Sequence, residues 1–235
     1  MKGFDVLAIL TDPRFTGMLA QGIKMTLIVA LGSWLLAMSL AFVLLGLRLL
    51  PHAVPQRAVM AYVSYHRNVP TLVQLMLWYF GIASLLPGPL QAWLSAHGAE
   101  AVFAIIGLGL CQAAYFSEDL RSGLRAIPRG QAEAARALGH GFLGTLRHVL
   151  MPQAVRNAMP ALVNHSVSLF KNSSLAMAIG VAELTHAVKE IENLSFRAFE
   201  SYLLATVRYL AVSLLIMAFG AWLEQRTRIV GQGAR

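Results

Sequence analysis

The chain has 235 residues, 57% of them hydrophobic and 13% charged, with a formal net charge of +8. A soluble domain carries roughly 25% charged residues, so this composition excludes an ordinary soluble core and points to a single membrane domain. The basic residues sit in short segments between apolar runs and not on one polar face, which argues against a nucleic-acid surface. The one cysteine, Cys111, rules out an intramolecular disulfide framework and reads as a packing residue.

In chain order, Lys2, Asp5, Asp12 and Arg14 form a mixed-charge lead unlike the start of a removable signal segment. The first span covers approximately 17–47, since the run 25–47 carries no charge and is long enough to cross the hydrocarbon. Prolines and arginines at 48–57 end it. The apolar stretch 58–66 is too short to cross and is predicted to lie along the interface. "RNVP" at 67–70 breaks it, and a second span covers 70–86. A turn-rich loop with Trp93 leads to a third span at 99–120, which ends in Glu118 and Asp119. A polar segment fills 121–152. A fourth span, at 153–170, tolerates Asn157, Pro160, Asn164 and His165 if neighbours satisfy the freed backbone groups. Residues 171–193 are too polar at their end to cross and read as a short helix dipping into the membrane or lying on it. The fifth span is 202–223, followed by a basic tail.

The expected fold is therefore all-α and polytopic, with about five transmembrane helices and one cytoplasmic helical loop between spans three and four. Arg and Lys collect on cytoplasmic loops. With the N-terminus outside and the C-terminus inside, the inner segments hold Arg48, Arg57, Arg67, Arg121, Arg125, Arg129, Arg136, Arg147, Arg226, Arg228 and Arg235. The outer ones hold only Lys2, Arg14, Lys24, Lys171, Lys189 and Arg197.

Within the polar segment, Leu138, Phe142, Leu146 and Val149 or Leu150 fall on one helical stripe. Arg129 and Glu133 are spaced to pair weakly. Gly139 and Gly141 interrupt the run, so two short helices meeting at a bend are expected. Such an amphipathic pair either lies on lipid or docks its stripe into a groove on a soluble partner.

The spacing Glu133, Ala134, Ala135, three residues, Gly139, nine residues, Val149, one residue, Met151, Pro152 resembles the signature loop of bacterial ABC importer permeases, E-A-A-x3-G-x9-I-x-L-P. Further phrases resemble the polar amino-acid uptake branch. They are "RNVPTLVQL" (67–75), "AYFSEDLRSGL" (114–124), "PRGQAEAA" (128–135), "MPQAVR" (151–156) and "FKNSSL" (170–175). The likeness runs from roughly 17 to 225. It implies one of two permease subunits, a homodimer or a pair with a paralogue, in the bacterial inner membrane. Two ATP-hydrolysing partner subunits grip the loop, and a periplasmic or extracellular solute-binding protein delivers an amino acid. The coupling residues implied are Glu133, Ala134, Ala135, Gly139 and Pro152, with Glu133 at the start of the coupling helix and Gly139 allowing a tight bend.

The chain has no G-x-x-x-x-G-K-[ST] phosphate cradle, so no cofactor of its own is expected and ATP is used by the partner. The seven histidines are scattered and form no metal-ligand spacing. It is not expected to be an enzyme.

Ionisable groups inside spans are expensive and are candidates for the solute path. Arg208 either meets a substrate carboxylate, snorkels outward, or pairs with Glu200 or Glu183. Glu118 either faces the path or pairs with Arg121 or Arg156. Asp119 stands where the family is usually apolar. Lys171, Asn172, Ser173 and Ser174 offer polar groups at the end of the fourth span, with helix capping by either serine as the alternative. Asn172 stands where the family often has Asp. Loss of that charge favours an acidic solute, glutamate or aspartate; another polar or basic amino acid is the alternative. A secondary transporter or channel would show paired repeats and buried coupling acids, and a membrane enzyme a clustered nucleophile and base; neither pattern is present.

Overall fold

The computed structural model describes residues 4–227, and the chain there folds into helices with no strand among the described residues. Lys2, Arg228 and Arg235, which enter the charge count above, lie outside them. The order is α1 (Leu7–Leu10), α2 (Pro13–Leu49), α3 (Ala53–Asn68), α4 (Thr71–Met76), α5 (Gly88–Ala96), α6 (Ala99–Arg125), α7 (Arg129–Ala137), α8 (Phe142–Thr145), α9 (Met151–Asn172), α10 (Leu184–Ser195) and α11 (Ala198–Thr227). The wider helical segments Leu77–Ile82 and Leu146–Leu150 extend α4 and precede α9, and a 3-10 turn spans Ser173–Ile179.

Among the described residues three helices, α2, α6 and α11, are long and apolar enough to cross a membrane. The bent pair Ala53–Asn68 and Thr71–Leu85 makes a fourth span if the two count as one. The helix α9 has the length, at 22 residues, but not the apolarity, because Arg156, Asn157, Asn164 and His165 lie within it. The first span starts at Pro13, where the Asp12 carboxylate accepts the Arg14 amide at 2.8 Å and proline at the first position gives up no needed donor. The third span does not stop at residue 120. The helix continues to Arg125, so Arg121, expected at the start of the loop, is helical. The stretch after Asn172 is a 3-10 turn ended by Gly180 in the left-handed region, followed by α10.

The core is organised around α6, which packs against α2, α3, α4 and α9. Its buried face alternates bulky Phe103, Leu108, Phe116 and Leu120 with Gly107, Gly109, Ala113, Ala114 and Gly123. Small residues let helix backbones approach closely, which replaces the hydrophobic drive that lipid cannot supply. At Gly123 a Cβ would run into the carbonyl oxygen of Ala154 on α9, and that carbonyl-lined contact is reinforced by Asn157 Nδ2 donating to Gly123 O at 3.1 Å. Trp34 of α2 donates to Ser166 of α9 at 2.9 Å, and Tyr62 of α3 to the Leu110 carbonyl of α6 at 2.6 Å. Leu27, Leu31, Leu35 and Val43 on α2 and Leu210, Leu214, Leu215 and Phe219 on α11 stay exposed, as expected of faces solvated by lipid.

At the end away from the α7 loop, Glu183 is fully buried. It caps α10 by accepting the amides of Thr185 and His186, each at 2.9 Å. The same carboxylate accepts Tyr209 of α11 at 2.7 Å and Thr26 of α2 at 3.4 Å. One acid thus ties three helices together.

Candidate functional site

The loop between α6 and α9 forms the bent helix pair expected from its glycines. Helix α7 ends in a two-bond motif: the His140 amide donates to Ala135 O at 3.1 Å and the Gly139 amide to Arg136 O at 2.9 Å. This closure needs a residue with positive φ just past the helix, and Gly139 has φ +87°. The chain then turns into α8. Ala135 is the buried residue of α7, a helix that packs against the Leu146–Leu150 segment and α8. Glu133 and Ala134 are exposed. Glu133 sits one turn inside α7, whose first turn holds no acid, so it lies beyond the reach of the helix dipole's positive end. It makes no ion pair with Arg129; none involving either residue occurs among the described residues. Pro152 is the second residue of α9. Of the predicted apolar stripe, Leu146, Val149 and Leu150 are half-buried, whereas Leu138 is 82% and Phe142 67% exposed, and Leu143 joins them at 74%. The bend therefore presents an unpartnered apolar knob.

A cavity of about 260 Å³ opens between α4, α6 and α9, lined by Thr71, Leu108, Cys111, Gln112, Tyr115, His165, Ser168, Leu169 and Asn172. Gln112 is 95% buried by residue, yet its Nε2 has no hydrogen-bond partner; a buried donor left unmade costs about 1–3 kcal/mol. His165 is fixed from behind, its Nδ1 lying 2.6 Å from Asp119 Oδ2, and its ring meets Tyr115 at 5.2 Å. The lining thus combines amides, hydroxyls and an imidazole, with no carboxylate, ammonium or guanidinium.

Along the same face of α6, toward the α7 loop, lies a second cavity of about 310 Å³, lined by Arg48, Met60, Val63, Ser64, Arg67, Asn68 and Glu118. Glu118 is held between Arg48 and Arg121. Arg67 carries its guanidinium 5.4 Å from the Tyr115 ring centroid.

The predicted solute-path residues separate in space. Asn172 lines the first cavity and Glu118 the second. Glu118 has Arg121 as partner, as one alternative held, and Arg48 instead of Arg156 as the other. Lys171 is exposed and lines neither. Ser173 and Ser174 cap no helix start: their hydroxyls donate backwards to Phe170 O at 2.6 Å and Lys171 O at 2.8 Å. Arg208 pairs with neither Glu200 nor Glu183; its Nη1 donates to Leu204 O one turn back at 3.1 Å, because Glu183 is already filled by Thr26, Tyr209 and its own cap and Glu200 by Arg197. Sequence reasoning passed over Gln112 and His165, and left Asp119 without a partner. The available signal was the stripe Gln112, Tyr115, Asp119 on one face of α6, with polar groups inside a span that demand partners.

Residues 35–229 match the family model described as the binding-protein-dependent transport system inner membrane component. The chain is 29% identical over 224 residues to the glutamate/aspartate import permease protein GltJ of Escherichia coli strain K12, covering 94% of this chain and 91% of that one. It is 32% identical over 168 residues to the arginine transport system permease protein ArtQ of Bacillus subtilis strain 168, covering 71% and 73%. Among solved structures, an amino acid ABC transporter with histidines superposes with a TM-score of 0.82 at 26% identity, over 96% of this chain and all of that one.

Proposed function

Since the chain belongs to the binding-protein-dependent transport system inner membrane component family, we infer that it is the permease subunit of an ATP-driven amino-acid importer and that its solute is an acidic amino acid. The carrying observation is the bent α7–α8 element. Leu138, Phe142 and Leu143 project from a helix end closed at Gly139 and stay exposed among the described residues. An apolar knob on a rigid bend suits a groove in a separate ATPase subunit. Glu133, Ala134, Ala135, Gly139 and Pro152 are the coupling residues in this reading.

In the rest of the assembly, two ATPase subunits sit beneath a pair of permeases, and a solute-binding protein delivers from the opposite face. The N-terminus is outside and the C-terminus inside, supported by the basic loop ends around Arg48, Arg125 and Arg129. The first cavity is the solute path. Its Asn172, Gln112 and His165 suit a carboxylate as acceptor, and an arginine solute finds no carboxylate for its guanidinium there. The likeness to GltJ supports the acidic reading, and the likeness to ArtQ makes a basic solute its direct competitor.

The test is uptake of labelled glutamate by membranes carrying the complete transporter. Competition by unlabelled aspartate is expected; competition by arginine with none by aspartate overturns the acidic assignment. ATP-dependent uptake that disappears when the ATPase is omitted is expected, and uphill uptake without it overturns the permease role.

A further inference from the structure

The two cavities lie on successive turns of one face of α6, the first lined by Leu108, Gln112 and Tyr115 and the second by Glu118. Tyr115, which lines the first, meets Arg67, which lines the second, with the guanidinium carbon 5.4 Å from the ring centroid. We propose that the Arg67–Tyr115 contact is the inner partition of the solute path, and that Arg67 is the cation that receives the solute's carboxylate on the loop side when the partition opens. The proposal rests on the reading of the first cavity as the path.

Charge accounting singles out Arg67. The carboxylate of the second cavity, Glu118, is already shared by Arg48 and Arg121. Arg67 makes no ion pair among the described residues, and the contact recorded for it is the face of Tyr115. A guanidinium over an aromatic face is held weakly enough to exchange for a carboxylate, which it binds more strongly and in a forked geometry. The arm that carries Arg67 is set at the break between α3 and α4, which bends by 108°. Tyr115 also meets His165, with ring centroids 5.2 Å apart, and Asp119 holds that imidazole. A carboxylate leaving the Gln112, His165 and Asn172 groups therefore meets Arg67 next, and Arg67 can bind it only by leaving Tyr115. Every amino-acid solute carries an α-carboxylate, so this role does not depend on which one is imported.

Cys111, the chain's single cysteine, lines the first cavity and reports on the partition. The complete transporter in inside-out vesicles is exposed to membrane-impermeant methanethiosulfonates, one bearing a sulfonate and one a trimethylammonium, and modification of the Cys111 peptide is followed by mass. Tyr115→Leu is expected to raise both rates by about tenfold, the scale of losing one cation–aromatic contact. Tyr115→Phe keeps the ring and is expected to label within about twofold of the parent. Arg67→Gln is expected to raise the rate for the cationic reagent and to abolish any preference for the sulfonate. Unchanged rates in Tyr115→Leu and Arg67→Gln overturn the partition, as does opening by Tyr115→Phe equal to that by Tyr115→Leu. Labelling needs no solute and no binding protein, so a transporter that fails the uptake test above sinks the permease reading without deciding this one.

Discussion

The side chain of Gln74 is bonded to His66 twice across a broken helix: its Nε2 donates to His66 O at 3.0 Å, and its Oε1 lies 2.5 Å from His66 Nδ1. The same amide donates to Val69 O at 2.8 Å. Both residues are buried. Pro70 cannot continue α3, and two carbonyls at the break, those of His66 and Val69, accept from this one amide. Gln74→Leu strands those carbonyls and the imidazole, at a cost of about 1–3 kcal/mol for each buried group left unpaired. A clear fall in the apparent melting temperature in detergent is expected, and an unchanged value contradicts the bracing role.

Glu183 gives a parallel case at the other end. Glu183→Ala removes the cap of α10 and leaves Tyr209 only the Thr185 hydroxyl as partner, for a loss of about 3 kcal/mol. Glu183→Gln keeps one carbonyl acceptor and should fall between the parent and Ala. Thermal unfolding of the three proteins side by side gives the order.

Gly123 and Gly46 separate crowding from helix propensity. A Cβ at Gly123 meets the Ala154 carbonyl, whereas at Gly46 it meets nothing within 4 Å. Gly123→Ala should destabilise by about 1–3 kcal/mol through forced separation of α6 and α9. Gly46→Ala should be neutral or gain up to about 1 kcal/mol. Equal behaviour of the pair in detergent melts refutes the close approach.

At the loop, Gly139 occupies φ +87°, and a residue with a Cβ is disfavoured there by about 1–2 kcal/mol. Gly139→Ala is expected to leave membrane insertion intact and to lower uptake per ATP hydrolysed, and Glu133→Lys to do the same through charge reversal at an exposed face. Uptake and ATPase rates measured together on reconstituted transporter test this; coupling equal to the parent in both variants removes the docking role of α7.

His165 is oriented by Asp119. Asp119→Ala frees the ring, and uptake should weaken by about tenfold in apparent affinity with a stability change of about 1 kcal/mol, since the imidazole is 34% exposed. A stability loss without any affinity change assigns the pair to packing alone.

The long helices and the bend at Gly139 were legible in the sequence because run length and glycine placement are local signals. The continuation of α6 to Arg125 was not: the stretch from Arg121 reads as the start of the polar loop until Arg121 is seen to pair with Glu118 one turn back on the same helix. Asn172 stands out in the sequence for a missing charge, and it lines the first cavity. Gln112 does not stand out, because an amide in an apolar run declares itself only when its burial leaves Nε2 without an acceptor. Arg208 shows the opposite failure. Its charge drew attention, yet a carbonyl one turn back is enough for it.

The Glu183 knot has a mechanical consequence. Separating α2, α10 and α11 there would strand a buried carboxyl group and the amides and hydroxyls it serves, so those three helices are soldered at one tip. Any relative movement of those three helices therefore pivots about Glu183.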